Sequence, residues 1–333
     1  MALVAIGYGI LYIVSSTSET LAVKALNYAD PPLVLPVYTA FLSNQLWLFI
    51  MPFYIQMLYE RKGVVIPKQK TNYVNQYISM GVLTFIIALL RNIGVNSIPG
   101  SAFSLLISTS ILFTIVLSSV WLKKKFNIWH INAALFCLAS AVTIGASELA
   151  NSKETIGLCS TIGAAFFISF TGVWQEYIQP TWDTYSFRLA EINIVASLIA
   201  SVMLLIFGVI TEEIGGWREE IAATYVKNQA LVICVSLAIP ILKLLIRNSK
   251  YSIINVSSAF FFEFVQSSSS LLGSIANILI FGEAWSYSYI AAFALLGISF
   301  ALYTKAKMVS SVLLPVKMTD NPLNPKVVVK AWR

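Results

Sequence analysis

The chain has 333 residues, 58% of them hydrophobic and only 11% charged, with a mean hydropathy of +0.78. A soluble domain carries roughly 25% charged residues to keep its surface wet, so most of this surface faces lipid and a soluble enzyme or binding module is excluded. The net charge of +7 would suit a nucleic-acid partner, but its distribution along the chain assigns it to membrane topology instead.

The first apolar run begins at Ala2, with no basic segment ahead of it, and continues through Ser15, Ser16, Thr17 and Ser18. It reads as a first membrane helix rather than a signal peptide. Crossing a bilayer core takes about 20 mostly apolar helical residues. Runs of that kind fall at about 2–24, 33–58, 74–96, 101–122, 128–147, 156–178, 186–210, 229–247, 253–281 and 286–304. Barrel strands would be about ten residues long with alternating polarity, so the runs predict helices. The predicted fold class is all-α, a polytopic membrane protein of ten transmembrane helices. Breaks stand at Asp30-Pro31-Pro32, Ile98-Pro99-Gly100 and Gly215-Gly216.

Loop charge sets the expected orientation. With both termini cytoplasmic, that side holds Arg61, Lys62, Lys68, Lys70, Lys123 to Lys125, Arg188, the Lys243/Arg247/Lys250 group and the basic tail. The opposite loops collect acids: Asp30, Glu148, Glu154, Glu212, Glu213, Glu219, Glu220 and Glu283. Retained Lys and Arg mark the cytoplasmic face. Between the seventh and eighth runs, Trp217, Ile221 and Tyr225 recur at four-residue spacing, one face of a short helix at the membrane surface. Pro240 is expected to bend the eighth span. The tail, 305–333, holds Pro315, Pro322 and Pro325 without periodicity and reads as disordered. Cys137, Cys159 and Cys234 lie inside apolar runs, where thiols serve as small packing residues.

Ser101-Ala102-Phe103 can be laid on Ser258-Ala259-Phe260, and the same offset puts Thr109 and Ser110 on Gln266 and Ser267. A short polar elbow and another apolar helix follow each copy, the two elbows lying on opposite faces. Five helices per half in opposite orientation make an inverted duplication, an arrangement carriers use to hold a site near the midplane. The expected units are 1–147, 156–304 and the tail.

At these residues the sequence resembles the drug/metabolite transporter superfamily, built from two five-helix EamA-type repeats. Ile280-Phe281-Gly282-Glu283, followed by Trp285 and the helix 290–303, looks like the closing signature of that repeat. Lys123 to Phe126, Ile131-Asn132-Ala133 and Gly145 look like the purine-permease branch over about 45 residues, and Ser108 to Phe113 resembles nucleotide-sugar transporter relatives. The superfamily resemblance covers the chain to about residue 305. It implies a secondary carrier of a small organic solute.

Polar side chains inside spans are costly in lipid and are candidates for function. Glu263 and Gln266, one turn apart in the ninth span and followed by Ser267 to Ser270, lead the list as substrate or proton sites. Thr109 and Ser110 share their level through the repeat, although Ser and Thr often bond their own backbone. Asn44 and Gln45 sit in the middle of the second span. Glu19 with Arg91, and Glu191 beside Asn193 with Lys243, could form an outer and an inner gate. Trp174, near Tyr177, Trp182 and Tyr185, could stack on a planar solute or belong to the interfacial belt.

No basic residue lies between Lys250 and Lys305, and only Arg91 and Lys243 stand where a cavity could use them. This disfavours phosphorylated substrates, which want several basic contacts. A neutral or cationic solute such as a nucleobase or vitamin is expected, with proton coupling an option because a buried carboxyl can load and release a proton. A nucleotide-sugar or other metabolite exchanger of the same superfamily, and a non-transporting receptor or scaffold, are the alternatives. Enzyme chemistry lacks its residues: His130 is the one histidine, beside Trp129, and no Asp-x-x-Asp, His-Glu-x-x-His or Gly-x-Ser-x-Gly pattern occurs. No cofactor or metal is expected. The expected partners are a small-molecule substrate and the lipid bilayer, not nucleic acid, and a homodimer is left open.

Overall fold

A computed structural model describes residues 2–60, 73–148, 152–179, 185–282 and 287–313. Twelve helices account for nearly all of them: α1 (Ala2–Asn27), α2 (Pro36–Ser43), α3 (Trp47–Glu60), α4 (Tyr73–Ser97), α5 (Gly100–Ile107), α6 (Ser110–Trp121), α7 (Ile128–Glu148), α8 (Ser152–Ile178), α9 (Tyr185–Ile210), α10 (Glu213–Val256), α11 (Ala259–Phe281) and α12 (Tyr287–Leu313). Helix is what the sequence demands, because lipid offers no partner for backbone N–H and C=O groups and a helix satisfies them internally. Among the described residues, six helices are long and apolar enough to cross a membrane. The chain is an integral, multi-pass membrane protein. The expected runs at 2–24, 33–58, 128–147 and 286–304 are helical as well, but shorter, broken or more polar.

Two of the expected spans are pairs. The second breaks between α2 and α3 around Asn44 to Leu46, the fourth between α5 and α6 at Ser108 and Thr109. At the second break the hydroxyls of Ser108 and Thr109 donate to the carbonyls of Leu105 and Leu106, at 2.6 and 2.9 Å. Cys137 Sγ serves the Ser108 carbonyl at 3.2 Å and Ser169 Oγ that of Ser110 at 2.6 Å. Neighbouring helices thus satisfy the interrupted ladder, as a break at membrane depth requires. Pro36 opens α2 at its first position, where a missing N–H costs nothing. Glu213 Oε1 accepts from the backbone N–H groups of Val37 and Tyr38 at 2.9 and 3.2 Å. This acid, counted with the outer loops, ties the start of α10 to that of α2.

α10 is two helices meeting at a kink at Asn228 (φ −130°, ψ 46°), where the expected surface helix gives way to the eighth span; Pro240 lies inside the second of them. Trp217 and Ile221 pack inward, Trp217 edge-on to Tyr38 at 5.3 Å, while Tyr225 is more exposed. The helix then runs past residue 247 to Val256, and α11 starts at Ala259, where Ser258 Oγ accepts from Phe261 N at 3.1 Å. Arg247 and Lys250, expected in a cytoplasmic loop, are therefore inside a helix. α11 ends on Gly282 at φ 66°, a left-handed cap that favours glycine. α12 continues to Leu313, so residues 305–313 are helical rather than disordered; the tail beyond lies outside the described residues, as do Arg61, Lys62, Lys68, Lys70, Trp182, Glu283 and Trp285.

α7 packs along α12, α1 against α10 and α11, α4 against α8 and α9, and α11 against α5 and α6. The largest buried cluster includes Phe103, Leu105, Leu106, Ile111, Cys137 and Phe260. Gly81 lets α4 approach α9 closely, since a Cβ placed there would stand 2.7 Å from Cβ and Cγ2 of Ile199. Those atoms sit next to the α9 backbone and cannot swing aside. Gly81→Ala is expected to destabilise the fold by about 1–3 kcal/mol, the usual cost of overpacking, read as a fall in unfolding temperature in detergent.

Candidate functional site

A central cavity of about 130 Å³ lies between α1, α4, α5, α8, α10 and α11, with Asn44 at the end of α2 on its edge. By the same measure one water needs ~10–15 Å³, so the space suits a small organic solute. Each helix offers one face to it at helical spacing. α4 contributes Met80, Thr84, Ile87, Ala88 and Arg91, and α10 contributes Lys243, Ile246, Arg247, Lys250 and Tyr251. α1 presents Tyr12, Ser16, Thr17 and Thr20. α11 presents Phe262, Gln266, Ser269, Ser270 and Gly273. Four isoleucines and four aromatic residues give the walls apolar surface, but most of the lining side chains are polar or charged.

Glu263 does not line the cavity; it is fully buried behind it. Its Oε2 accepts from Ser110 Oγ, and Ser110 Oγ accepts in turn from Gln266 Nε2 at 3.1 Å. Gln266 Oε1 accepts from Tyr12 Oη at 3.1 Å. A continuous hydrogen-bonded chain therefore links two cavity-lining side chains to a carboxyl that does not line the cavity. Thr109, expected on the same level, donates to Leu106 O and stands off the cavity. Of the serines after Gln266, Ser269 and Ser270 line the cavity, while Ser267 and Ser268 donate to the carbonyls one turn back, of Glu263 and Phe264.

Of the expected charge pairs, Glu19 with Arg91 forms and Glu191 with Lys243 does not. Glu19, nearly buried, forms ion pairs with both Arg91 and Lys243, the latter at 3.2 Å. Lys243 thus belongs with Glu19. Glu191 is paired to Arg188 at 2.6 Å and accepts from Tyr54 and Tyr77 in a separate small cleft. The register of α10 decides this, because it turns Lys243 toward α1 and away from α9. Asn44 Oδ1 accepts from Arg247 Nη2 at 2.9 Å, and its amide donates to Ala40 O. Gln45 points elsewhere, bonding Ser201, Phe41 and the Trp47 indole. Trp174 rests against Trp121 and Tyr177, with ring centroids 5.5 and 5.9 Å away, and stands off the cavity. His130 sits among the rings of Phe126, Phe260 and Tyr303.

Four cavity residues that the sequence reading did not place there bear on its chemistry: Tyr12, Gln175, Arg247 and Lys250. The signal for Arg247 and Lys250 was present, since Lys243, Arg247 and Lys250 are spaced i, i+4, i+7 and would share one helix face. Four basic side chains, Arg91, Lys243, Arg247 and Lys250, therefore line the cavity, where two were expected. The charge premise behind a neutral or cationic solute falls with that placement.

A family model described as purine nucleobase transmembrane transport matches residues 8–311 of the chain. A protein described as "Probable purine permease 4" from Arabidopsis thaliana is 30% identical over 133 residues, which are 38% of this chain and 34% of that protein. The aligned stretch thus spans about a third of that relative's length. A crystal structure of a protein 15% identical in sequence is similar over 92% of this chain and 98% of its own, at a TM-score of 0.57. That likeness concerns the fold alone.

Proposed function

The chain belongs to the purine nucleobase transmembrane transport family, and from that premise we propose that it is a secondary carrier moving a purine-like heterocycle by alternating access, with protons coupled through Glu263. The observation that carries this reading is the chain from Tyr12 through Gln266 and Ser110 to Glu263. A solute that engages Tyr12 or Gln266 alters the bonds offered to the carboxyl, and a proton on the carboxyl alters those offered to the solute. Such reciprocity is what coupled transport needs. The aromatic and isoleucine walls suit a flat heterocycle, whose edges would meet Gln266 and Tyr12.

Packing supports two inverted halves, 1–147 and 156–304, of the drug/metabolite transporter type, with ten spans and cytoplasmic termini. If α1 corresponds to α8, α4 to α10, α5 and α6 to α11, and α7 to α12, the principal contacts have counterparts. The α1–α10 contact matches α8–α4, α1–α11 matches α8 with α5 and α6, and α7–α12 is its own image. Rocking one half against the other would open the cavity to each side in turn. Loop charge keeps its bias even without Lys243, Arg247 and Lys250.

Purified chain in vesicles with an outwardly alkaline-to-inwardly acidic difference reversed between runs tests this directly. Labelled adenine or hypoxanthine is expected to accumulate on the alkaline side, and a protonophore to abolish the accumulation. If no purine enters faster than into empty vesicles, the carrier reading is wrong.

A further inference from the structure

Charge around the cavity is unbalanced. Glu19 answers Arg91 and Lys243, but among the described residues no carboxylate lies within ion-pair distance of Arg247 or Lys250. Arg247 donates to Ser197 Oγ at 2.7 Å and to Asn44 Oδ1 at 2.9 Å, which leaves three of a guanidinium's five N–H groups. Lys250 Nζ donates to Thr171 Oγ1 at 3.0 Å, reaches Ile168 O at 3.4 Å and stands 5.0 Å from the centroid of the Phe262 ring. One turn along α8 from Thr171, Gln175 lines the same cavity. It is 1% exposed and its Nε2 has no hydrogen-bond partner among the described residues.

Three donor groups on two facing helices, α10 and α8, therefore line the same cavity: a guanidinium, an ammonium and an unpartnered amide. Cations at membrane depth are costly unless compensated; the carboxylate that acts on Lys250, Glu263, lies beyond ion-pair distance, and donors lining a cavity select for acceptors. Resting on the carrier reading above, we infer that Arg247, Lys250 and Gln175 form a subsite for an anionic, acceptor-rich edge of the transported solute. Among purines this favours oxo-substituted ones that carry negative charge, such as urate. Adenine presents an amine to the same wall and leaves these donors poorly matched.

The test compares initial uptake of labelled urate and labelled adenine in vesicles containing the full chain, read as the urate-to-adenine ratio of kcat/KM. The expected ratio is above about ten, the order of one charge-assisted hydrogen bond. Lys250→Gln is expected to lower it about tenfold and Lys250→Arg to restore it. Gln175→Leu removes the free amide without touching a charge, and it should lower the same ratio should Lys250→Gln fail to fold. A wild-type ratio at or below one, or a ratio unmoved by both Lys250→Gln and Gln175→Leu, overturns the anion subsite and leaves purine transport standing. Uptake of neither purine removes the carrier reading and this inference with it.

Discussion

Glu263→Gln is expected to abolish proton-driven accumulation of purine while leaving the protein folded. Gln can still accept from Ser110 Oγ, which now bonds Glu263 Oε2, and it fills the same volume. It brings no charge into a fully buried position, so stability should hold or rise, since a buried charge is a net cost unless well compensated. What is lost is the group that, in the proposed mechanism, takes up and gives back a proton. Gradient-driven uptake should fall at least tenfold, a loss of about 1.4 kcal/mol or more. Exchange of labelled for unlabelled purine across the same vesicles, which needs no net proton movement, should persist. Ser110→Ala should weaken coupling by a smaller factor, because it cuts the link between Gln266 and the carboxyl without removing the carboxyl itself. Undiminished accumulation by the Gln variant would take Glu263 out of the mechanism.

The largest effect on stability is expected at Glu19. This carboxylate is nearly buried and pairs with Arg91 and Lys243 together. Glu19→Gln leaves two cations facing each other across the cavity wall with no counter-charge. Breaking a buried ion pair from one side costs about 3–5 kcal/mol, and here a single carboxylate serves two partners. Glu19→Gln should therefore unfold at a much lower temperature in detergent than the parent chain. Adding Lys243→Met removes one of the stranded charges, and the double variant should recover part of the loss. Non-additivity of that kind is the signature of a shared interaction. If the two changes simply add, the three residues do not act as a unit.

Much of the candidate site was legible because lipid makes polar residues conspicuous. Glu263, Gln266, Ser110, Asn44, Glu19, Arg91 and Lys243 all stand out as polar groups in apolar runs; all but Glu263 lie in the cavity wall or bond directly to a residue that does, and Glu263 reaches it through Ser110. The repeat argument, weak as letters, pointed to Ser110 and Gln266, which share a hydrogen bond. Thr109 and Gln45 were equally conspicuous, yet both are spent on local backbone and neighbouring side chains. Composition cannot tell a hydroxyl that serves its own helix from one that serves a cavity, because the difference is a rotation of the helix.

The same limit explains Arg247 and Lys250. The polar stretch Arg247-Asn248-Ser249-Lys250 resembles a loop when averaged over a window, so hydropathy alone ends the eighth span at residue 247. The helix continues to Val256 because those side chains face a hollow and other helices rather than lipid. What the sequence alone determined was the solvent: too little charge for water, and apolar runs long enough to cross a membrane as helices. Which polar groups meet which was decided only by the tertiary packing. The register of α10 sets Lys243 beside Glu19 and, among the described residues, leaves Arg247 and Lys250 without a carboxylate at ion-pair distance, because pairing depends on the distance and angle between helices far apart in the chain.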